Sequence, residues 1–223
     1  MNTCYICCAL DCKIELTPDE ADLIIGADRG YFVLEKNGIK PSVAIGDFDS
    51  YEGEIACEKI IRFPIKKDYT DSELAIKYAI EQGYKSIKIY GAIGGALDHT
   101  IANIALLAKY SKHGIDIAFY DDENVLFSIT NSGVSFDPNA SGRISVFSFG
   151  DKAFGVFEKG LLYELDGATL SNINPLGVSN ELIGKNATIS VENGTLILYT
   201  ARKNYENHLT RHKLGAKITS SHN

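Results

Sequence analysis

The first 120 or so residues alternate between short apolar runs and longer segments in which apolar residues recur with helical spacing. The apolar runs have the length of buried strands, and they are YICCAL, LIIGA, SVAIG, KIIRFP, SIKIYG and IDIAFY. The helical segments are RGYFVLEKNG, TDSELAIKYAIEQG and DHTIANIALLAKYSKHG, and each ends at a glycine. In the second of these, Thr70 and Glu73 have the spacing of a capping box. This alternation predicts an α/β fold with a doubly wound, mostly parallel sheet and helices on both faces.

From about residue 125 the pattern changes to short β-rich runs separated by Gly, Asn and Asp. The clearest runs are NVLFSIT, SGRISVFSFG, KAFGVFEKG, LLYELDGATL, ATISVENG and TLILYTA. Asn193 and Gly194 join the last two runs and predict a β-hairpin turn. Because no segment of useful helical length is found here, this half is predicted to be a small antiparallel β-sandwich.

The change of pattern predicts two domains, with a boundary in the segment 121–126. The first domain would cover residues 1–124 and the second would cover residues 125–202. Residues 203–223 are polar and are expected to form a mobile tail.

Composition narrows the class of protein. The net charge of −7 argues against general affinity for nucleic acid or for an anionic membrane, and it suits a site that collects divalent cations. No apolar run approaches the roughly 18–20 residues of a membrane helix, and no signal-peptide pattern is present, so we expect a soluble, cytoplasmic protein. The five cysteines do not form the pattern of a secreted disulfide framework, and we expect those of the first strand to be buried apolar filler.

Several aspartates of the first half fall where predicted strands end or helices begin. They are Asp28 after LIIGA, Asp47 and Asp49 after SVAIG, Asp71 at the start of a helix, and Asp98 after the glycine loop. In open α/β sheets, ligands bind beyond the carboxyl ends of the strands. Crowded carboxylates need a cation, and Mg²⁺ prefers hard oxygen ligands and commonly also binds substrate phosphates. These residues therefore predict a magnesium-dependent enzyme that acts on a phosphorylated substrate.

The loop YGAIGGALDH has features of a phosphate site, although it matches neither of the common nucleotide-binding glycine patterns. Its glycines permit close approach of the backbone to a ligand, and they are Gly91, Gly94 and Gly95. The helix that follows would direct its positive end toward an anion. Cations that could meet phosphate elsewhere are Arg29, Lys66 and Lys67.

Five motifs in order resemble the thiamine pyrophosphokinase family, also called thiamine diphosphokinase. They are GADRG (26–30), GDFDS (46–50), KKDYTDSELAI (66–76), GAIGGALDHTIANI (91–104) and NPLGVSNE (174–181). The resemblance spans about residues 20 to 200 and includes the plan of two domains. It implies transfer of the pyrophosphoryl group of ATP to thiamine, which gives thiamine diphosphate and AMP. It also implies Mg²⁺ and a homodimer, with each active site between the α/β domain of one subunit and the β domain of the other.

The resemblance, together with the placement of charges and glycines, assigns residue roles. The Mg²⁺ ligands would be Asp47, Asp49 and Asp71. The nucleotide and its phosphates would be met by Asp28, Arg29, Lys67, Asp68, Thr70, Gly94 and Gly95. Thiamine would be met by Asp98, Ser179 and Asn180. Asp98 or Asp71 is the candidate catalytic group that accepts the proton of the thiamine hydroxyl.

Three departures from the family pattern are visible. Ala96 stands where the family commonly has an arginine, the first strand leads into CALDC rather than a glycine-rich turn, and the chain has no Trp. Tyr163 or a phenylalanine is the candidate aromatic contact for thiamine in place of Trp. We expect His99 to have a structural role because it opens a helix.

Other functions compete with this interpretation. The D-x-D of GDFDS also suits a phosphatase in which Asp47 is the nucleophile, and it suits a metal-dependent nucleotide-sugar transferase. A catalytically impaired nucleotide-binding homologue is a third alternative, because Ala96 removes a cation.

Overall fold

The structure is a computed structural model that describes residues 2–20, 22–48, 54–64 and 68–214. The chain divides into two compact units, Met1–Phe127 and Ser128–Asn223. This division lies close to the predicted boundary in the segment 121–126.

The first unit is built on a mostly parallel sheet. Its strands are β1 (Thr3–Cys7), β2 (Leu23–Ala27), β3 (Val43–Gly46), β4 (Lys59–Arg62), β5 (Ser86–Tyr90), β6 (Asp116–Tyr120) and β7 (Asn124–Thr130), which contains the division between the units. Their order is β7-β6-β5-β1-β2-β3-β4. The six strands β1 to β6 are parallel, and β7 is antiparallel to β6. The predicted α/β class with a mostly parallel sheet is therefore confirmed.

Three helices pack against this sheet, and they are α1 (Gly30–Lys36), α2 (Asp71–Glu81) and α3 (Leu97–Ser111). Helix α2 begins at the predicted cap, where the Thr70 side chain accepts a hydrogen bond from the backbone N–H of Glu73. It contacts β1, β2 and β3, while α1 contacts β1 and β2 and α3 contacts β6. Among the helices that the structure describes, none is long and apolar enough to cross a membrane.

Strand β1 lies in the middle of the sheet, between β2 and β5. The chain first places β2, β3 and β4 outward on one side of β1, and then it returns to place β5 and β6 on the other side. The order of strands therefore reverses between β1 and β5. In open α/β sheets the carboxyl ends of the strands at such a reversal flank a crevice that binds ligands.

The second unit consists of antiparallel strands and one short helix. The elements are β8 (Ser132–Phe136), β9 (Ser141–Ser148), β10 (Lys152–Lys159), β11 (Leu165–Ser171), β12 (Asn180–Ile183), β13 (Ala187–Asn193), β14 (Thr195–Ala201), α4 (Arg202–Asn207) and β15 (Leu209–Lys213). Strand β9 pairs with β12 and β14, and a five-stranded sheet has the order β11-β10-β13-β8-β15. All these pairings are antiparallel, as the β-rich pattern predicts.

The predicted hairpin at Asn193 and Gly194 is wrong. Strand β13 pairs with β8 and β10, whereas β14 pairs with β9, so the two strands belong to different sheets. Gly194 donates its backbone N–H to Oδ1 of Asn131 and accepts a hydrogen bond from the Asn131 backbone. These bonds to a residue distant in sequence replace the ladder of a hairpin. A Cβ built on Gly194 would lie 2.8 Å from Cα of Ala153. The close approach of the β10 backbone therefore explains the glycine at this position.

The prediction of a mobile tail is also wrong for residues 203–214, while residues 215–223 lie outside the part of the chain that the structure describes. Strand β15 pairs along β8 and forms one edge of the five-stranded sheet. In α4, Asn204 is fully buried and bonds to the backbone of Ser141 and to Oγ1 of Thr200. The polar composition of this segment suggested mobility, but its polar groups form hydrogen bonds with other parts of the second unit.

Candidate active site

Two of the predicted site aspartates lie at the ends of neighbouring strands. Asp28 follows β2 directly, and Asp47 follows β3 directly. The backbone N–H of Asp28 donates a hydrogen bond of 2.7 Å to the carbonyl oxygen of Ile45. A Cβ built on Gly46 would lie 3.0 Å from Cα of Asp28, so the glycine permits these two strand ends to meet. The structure therefore places Asp28 and Asp47 at one edge of the sheet, where ligands bind.

Asp71 reaches the same region from the first turn of α2. Its neighbour Ser72 has its hydroxyl oxygen 3.4 Å from the Cys8 thiol, just beyond the end of β1. Burial raises the pKa of Cys8 to about 12; Ser72 opposes the rise, and the negative charges of Asp71 and Asp28 add to it. These side chains therefore surround the carboxyl end of the central strand.

A cleft of about 240 Å³, which we call the switch-point cleft, opens where the strand order reverses. Its lining comes from the end of β1, the start of α2, the glycine loop and the start of α3: Cys8, Ala9, Leu10, Ser72, Gly91, Ala92, Gly95, Ala96, His99, Thr100 and Asn103. Asn103 is buried and donates a hydrogen bond of 2.7 Å to the carbonyl oxygen of Ala92, which ties α3 to the loop.

Two further clefts are lined in part by the segment 9–12. One, of about 450 Å³, is lined by four acidic residues, by Gly94 and by others: Leu10, Asp11, Cys12, Ile93, Asp121, Asp122, Glu123 and Asn124. The other, of about 310 Å³, is lined by Ala9, Asp11, Arg29, Phe32, Val33 and Lys36. The segment after β1 is thus a shared wall of three clefts at the carboxyl edge.

The three glycines of the loop 91–95 differ in what surrounds them, and so in why a glycine is found at each position. A Cβ on Gly91, whose φ is +67°, would lie 2.3 Å from the carbonyl oxygen of Leu10, and a Cβ on Gly95 would lie 2.8 Å from the Leu10 side chain. Gly94 has a φ of +96°, and a Cβ there would meet nothing within 4 Å. Packing against Leu10 therefore explains Gly91 and Gly95, whereas Gly94 faces open space beside the acidic lining.

The first turn of α3 contributes His99 and Thr100 to the candidate site in addition to the predicted Asp98. Asp98 is exposed and accepts a hydrogen bond of 2.9 Å from the backbone N–H of His99. His99 and Thr100 line the switch-point cleft. His99 is exposed in the first turn of α3, and the structural role expected for it there stays a prediction.

The remaining predicted nucleotide residues are spread around this edge. Arg29 is exposed at the cleft it shares with Lys36, Asp68 is exposed, and Thr70 uses its hydroxyl to cap α2. Asp49 and Lys67 lie outside the described residues, as does Lys66.

The carboxylates present suit magnesium in their chemistry. Among the residues that the structure describes, no three His, Cys, Asp or Glu side chains are grouped so as to hold a metal ion. Mg²⁺ commonly takes only one or two carboxylates, with waters and substrate phosphates completing its shell. Asp47 and Asp71, both half-buried at the carboxyl edge, provide hard oxygen donors of this kind. The thiols of the first strand are poor ligands, because burial raises the pKa values of Cys4 and Cys7 well above the ordinary value.

In the second unit, Ser179 and Asn180 differ in their surroundings. Ser179 is exposed, has a φ of +61°, and donates its backbone N–H to the hydroxyl of Ser145 at 3.0 Å. Asn180 is 5% exposed, and its side-chain amide makes four hydrogen bonds within the protein. A direct contact between Asn180 and thiamine would therefore have to replace one of these bonds.

Backbone strain is concentrated in the predicted motifs. The described non-glycine residues with positive φ are Asp28, Phe48, Asn131 and Ser179. Three of these four belong to GADRG, GDFDS and GVSNE. Such conformations cost about 1 kcal/mol or more each and tend to cluster at functional sites.

The sequence showed the segment CALDC only as a departure from the family pattern and gave no role to its residues 8–10, to Ser72 or to Thr100, although all of them line the switch-point cleft. The first strand carries no acidic residue and no glycine at its end, so its pattern gives no chemical signal. The available signal was topological, because the first strand of such a fold lies at the centre of the sheet and its carboxyl end borders the crevice.

A doubly wound α/β unit with clefts at its strand reversal, followed by an antiparallel β unit, defines a two-domain α/β protein with its candidate ligand site at the carboxyl edge of the first sheet. The model of the family domain described as "Thiamin pyrophosphokinase, catalytic domain" matches residues 14–119, and that of "Thiamin pyrophosphokinase, vitamin B1 binding domain" matches residues 134–196. The chain belongs to the thiamine pyrophosphokinase family, as the five motifs predict.

Individual relatives agree. Thiamine pyrophosphokinase from Bacillus subtilis is 33% identical over 187 residues, which are 81% of this chain and 87% of the relative. The crystal structure of thiamine pyrophosphokinase from Bacillus subtilis matches with a TM-score of 0.79 and 30% identity, over 90% of this chain and 99% of that one. The crystal structure of yeast thiamin pyrophosphokinase, at 16% identity, shares the fold with a TM-score of 0.73 over 90% of this chain and 86% of that one.

Proposed function

We propose that this chain transfers the pyrophosphoryl group of ATP to the hydroxyethyl oxygen of thiamine, giving thiamine diphosphate and AMP. The observation that carries the proposal is the order of the two family domains on one chain. The catalytic-domain match lies within the first structural unit and the vitamin B1 binding match lies within the second. The phosphatase and nucleotide-sugar transferase alternatives account for neither match.

The carboxyl edge of the first unit would bind the nucleotide. Asp47 and Asp71, with Asp49 as the sequence predicts, would hold Mg²⁺, which when bound offsets negative charge on the phosphate oxygens. The nucleotide and its phosphates would be oriented by Asp28, Arg29, Lys67, Asp68, Thr70, Gly94 and Gly95. Arg29 is exposed beside a cleft and Gly94 faces open space, which supports these two assignments.

Catalysis of this reaction is mainly positioning of the attacking hydroxyl and stabilisation of charge that develops on the phosphate oxygens. Asp98 or Asp71 would accept the proton of the thiamine hydroxyl. Asp98 is exposed in the first turn of α3 and so can reach a substrate, which supports it as a base. Asp71 would have the competing task of holding the metal ion, and a metal-bound carboxylate is a weak base.

Ser179 would contact thiamine directly, together with Asp98 as predicted from the sequence. Its exposure and its positive φ support this role, because a strained, exposed residue in a β unit needs a reason. Asn180 is the other predicted thiamine residue, and its buried side chain favours a role behind the contact surface.

The homodimer, its shared active sites and the cytoplasmic location implied by the sequence are part of this proposal. The dimer is testable by mixing two inactive chains, one carrying Asp47→Asn and the other carrying Ser179→Arg. If each site uses residues from both subunits, mixed dimers contain one intact site, and about a quarter of wild-type activity should return after random exchange of subunits. No recovery in mixtures shown to exchange subunits would place each site within one chain.

The reaction is tested by measuring AMP release from ATP and Mg²⁺, with and without thiamine, and by identifying thiamine diphosphate chromatographically. Thiamine-dependent AMP in equal amount to thiamine diphosphate is the expected result. Release of ADP or free phosphate would overturn the proposal in favour of another transferase or a phosphatase. Binding of ATP without turnover would indicate an impaired homologue, and Ala96→Arg would then be the variant that tests whether a missing cation is the cause.

A further inference from the structure

The side chain of Asn180 makes every hydrogen bond that an amide group can make. Its Nδ2 donates to Oε2 of Glu158 at 2.8 Å and to the carbonyl oxygen of Tyr163 at 2.7 Å. Its Oδ1 accepts from the backbone N–H of Tyr163 at 3.0 Å and from that of Glu181 at 2.9 Å. An amide has two donors and two acceptor lone pairs, so the group has no site left for a ligand.

Two of these bonds go to the same residue. Asn180 binds both the backbone N–H and the backbone carbonyl of Tyr163, in the way that a neighbouring strand would. The flanking residues are also held, because Leu162 donates its N–H to the carbonyl oxygen of Glu181 and Leu161 bridges to Leu182. The backbone of the segment 161–163 is therefore fixed by residues at and after the GVSN sequence.

The Tyr163 side chain, in contrast, is 67% exposed. Leu162 and Val178 expose apolar surface near the same connections. A ring held on a fixed backbone loses little conformational freedom when it meets a ligand, and an aromatic face attracts a flat cation such as thiamine. Tyr163 is therefore suited to form a wall of a site for an aromatic cation.

Behind Asn180 lies a buried acid. Glu158 on β10 is fully buried, and its Oε2 accepts the Asn180 bond. Its Oε1 has no hydrogen-bond partner among the described residues. Burying a carboxyl group is costly unless the group is hydrogen-bonded. The hydrogen bond that Glu158 accepts comes from Asn180, so the buried acid acts on this residue.

We propose that Glu158 and Asn180 form a positioning pair that holds the Tyr163 backbone beside Ser179 and so sets the affinity for thiamine without touching it. The inference rests on the proposed function, because thiamine is the ligand assigned to this unit. It changes the predicted role of Asn180 from a direct contact to a residue that acts through Tyr163.

The test is a comparison of KM values for thiamine and for ATP, measured from thiamine-dependent AMP release. Asn180→Ala and Glu158→Leu should each raise the thiamine KM about 10-fold or more, while the ATP KM stays within about twofold, because the pair holds only the thiamine wall. The double variant should have a thiamine KM close to that of either single variant, because both substitutions disrupt the same Glu158–Asn180 pair. Glu158→Gln, which keeps the acceptor and the shape, should remain close to the wild type.

The Tyr163 side chain provides a variant that does not depend on core folding. Tyr163→Ala should raise the thiamine KM to a similar extent, and Tyr163→Phe should not. Asp166→Asn, at an exposed carboxylate near the same strands, is the matched control and should change neither KM.

Several results would overturn the inference. A thiamine KM that is unchanged in Tyr163→Ala would show that the fixed ring does not meet the substrate. A thiamine KM raised by Asn180→Ala but normal in a folded Glu158→Leu variant would return Asn180 to a direct contact. Absence of thiamine-dependent AMP from the wild type is a different failure, because it removes the proposed function itself.

Discussion

Gly30, the first residue of α1, lies against the carbonyl oxygen of Cys7 at the end of the central strand. A Cβ built on Gly30 would stand 1.8 Å from that oxygen and 2.9 Å from the backbone nitrogen of Cys8. Strand β1 cannot move away easily, because it is paired on both sides with β2 and β5. The last glycine of GADRG is therefore required by helix–strand packing directly beside the switch-point cleft.

Replacing this glycine should be far more costly than replacing a glycine in open space. Gly30→Ala should lower the free energy of unfolding by about 3 kcal/mol or more, because overpacking here meets backbone atoms. Gly38→Ala is the control, since Gly38 has a φ of +70° with nothing near its Cβ position, and it should cost only about 1 kcal/mol. Urea unfolding measures both changes, and equal losses would contradict the packing explanation.

Asp47 should be essential for the rate but dispensable for folding. Asp47→Asn should reduce thiamine-dependent AMP release by about 100-fold or more, judging by the size of electrostatic contributions to catalysis. The carboxylate is half-buried at the sheet edge, and the neighbouring Arg62 bonds to the Asp47 backbone oxygen, which the substitution preserves. Asp151→Asn, at an exposed position of the second unit, should retain full activity. Near-normal turnover by Asp47→Asn would remove it from the metal site.

Glu158 should make the stability of the second unit depend on pH. Burial raises the pKa of its carboxyl group from 4.5 to about 7, although the Asn180 hydrogen bond opposes the rise. Because the folded state then holds the proton more tightly than the unfolded state, the stabilisation is complete below about pH 4.5 and is lost as the pH rises through about 7.

The matched measurement is thermal unfolding of the wild type and of Glu158→Gln between pH 5 and pH 8. The difference in unfolding free energy between the two proteins should change by about 2 kcal/mol over this range, in the direction that favours Glu158→Gln at high pH. A constant difference would mean that the Glu158 carboxyl group titrates alike in the folded and unfolded states.

Asn204 tests the ordered structure of the segment that looks like a polar tail. Asn204→Ala should lower the free energy of unfolding by about 1–3 kcal/mol, because the buried Asn204 amide bonds to the backbone of Ser141 and to the buried hydroxyl of Thr200. Lys203→Ala, at an exposed position on the same helix, should change stability by less than about 0.5 kcal/mol. Hydrogen exchange at the backbone N–H of His208, which donates to the carbonyl oxygen of Asn204, would argue against the ordered helix if it were as fast as in an unfolded chain.

Much of the first unit could be predicted from local pattern. The apolar runs of β1, β3 and β6 are continuous because interior strands of a parallel sheet are covered on both faces, and Thr70 with Glu73 marked the start of α2. The acids at the strand ends were also visible, since a strand that stops at Gly46 leaves Asp47 at the edge. These features depend on neighbours in sequence, which is why they could be predicted correctly.

The errors have a common physical origin. Asn193 and Gly194 carry a strong local hairpin signal, but their strands pair with β8, β9 and β10 instead of with each other. The polar residues of α4 and β15 suggested a mobile tail, although a buried Asn204 and pairing along β8 hold them in place. In both cases hydrogen bonds to distant residues outweighed the local preference.

The sequence alone determined the class of the strands and helices of the first unit, the capped start of α2, the acids at the strand ends and the family to which the chain belongs. Only the tertiary structure decided that β1 lies at the centre with its end forming the cleft wall, and that Asn180 is bonded on all sides while Ser179 is exposed. Periodicity reports whether a residue faces a core, because burial repeats with the geometry of its own helix or strand. Periodicity does not show which distant strand or side chain completes that core. The hydrogen-bond partners of Asn180 include such distant residues, namely Glu158 and Tyr163.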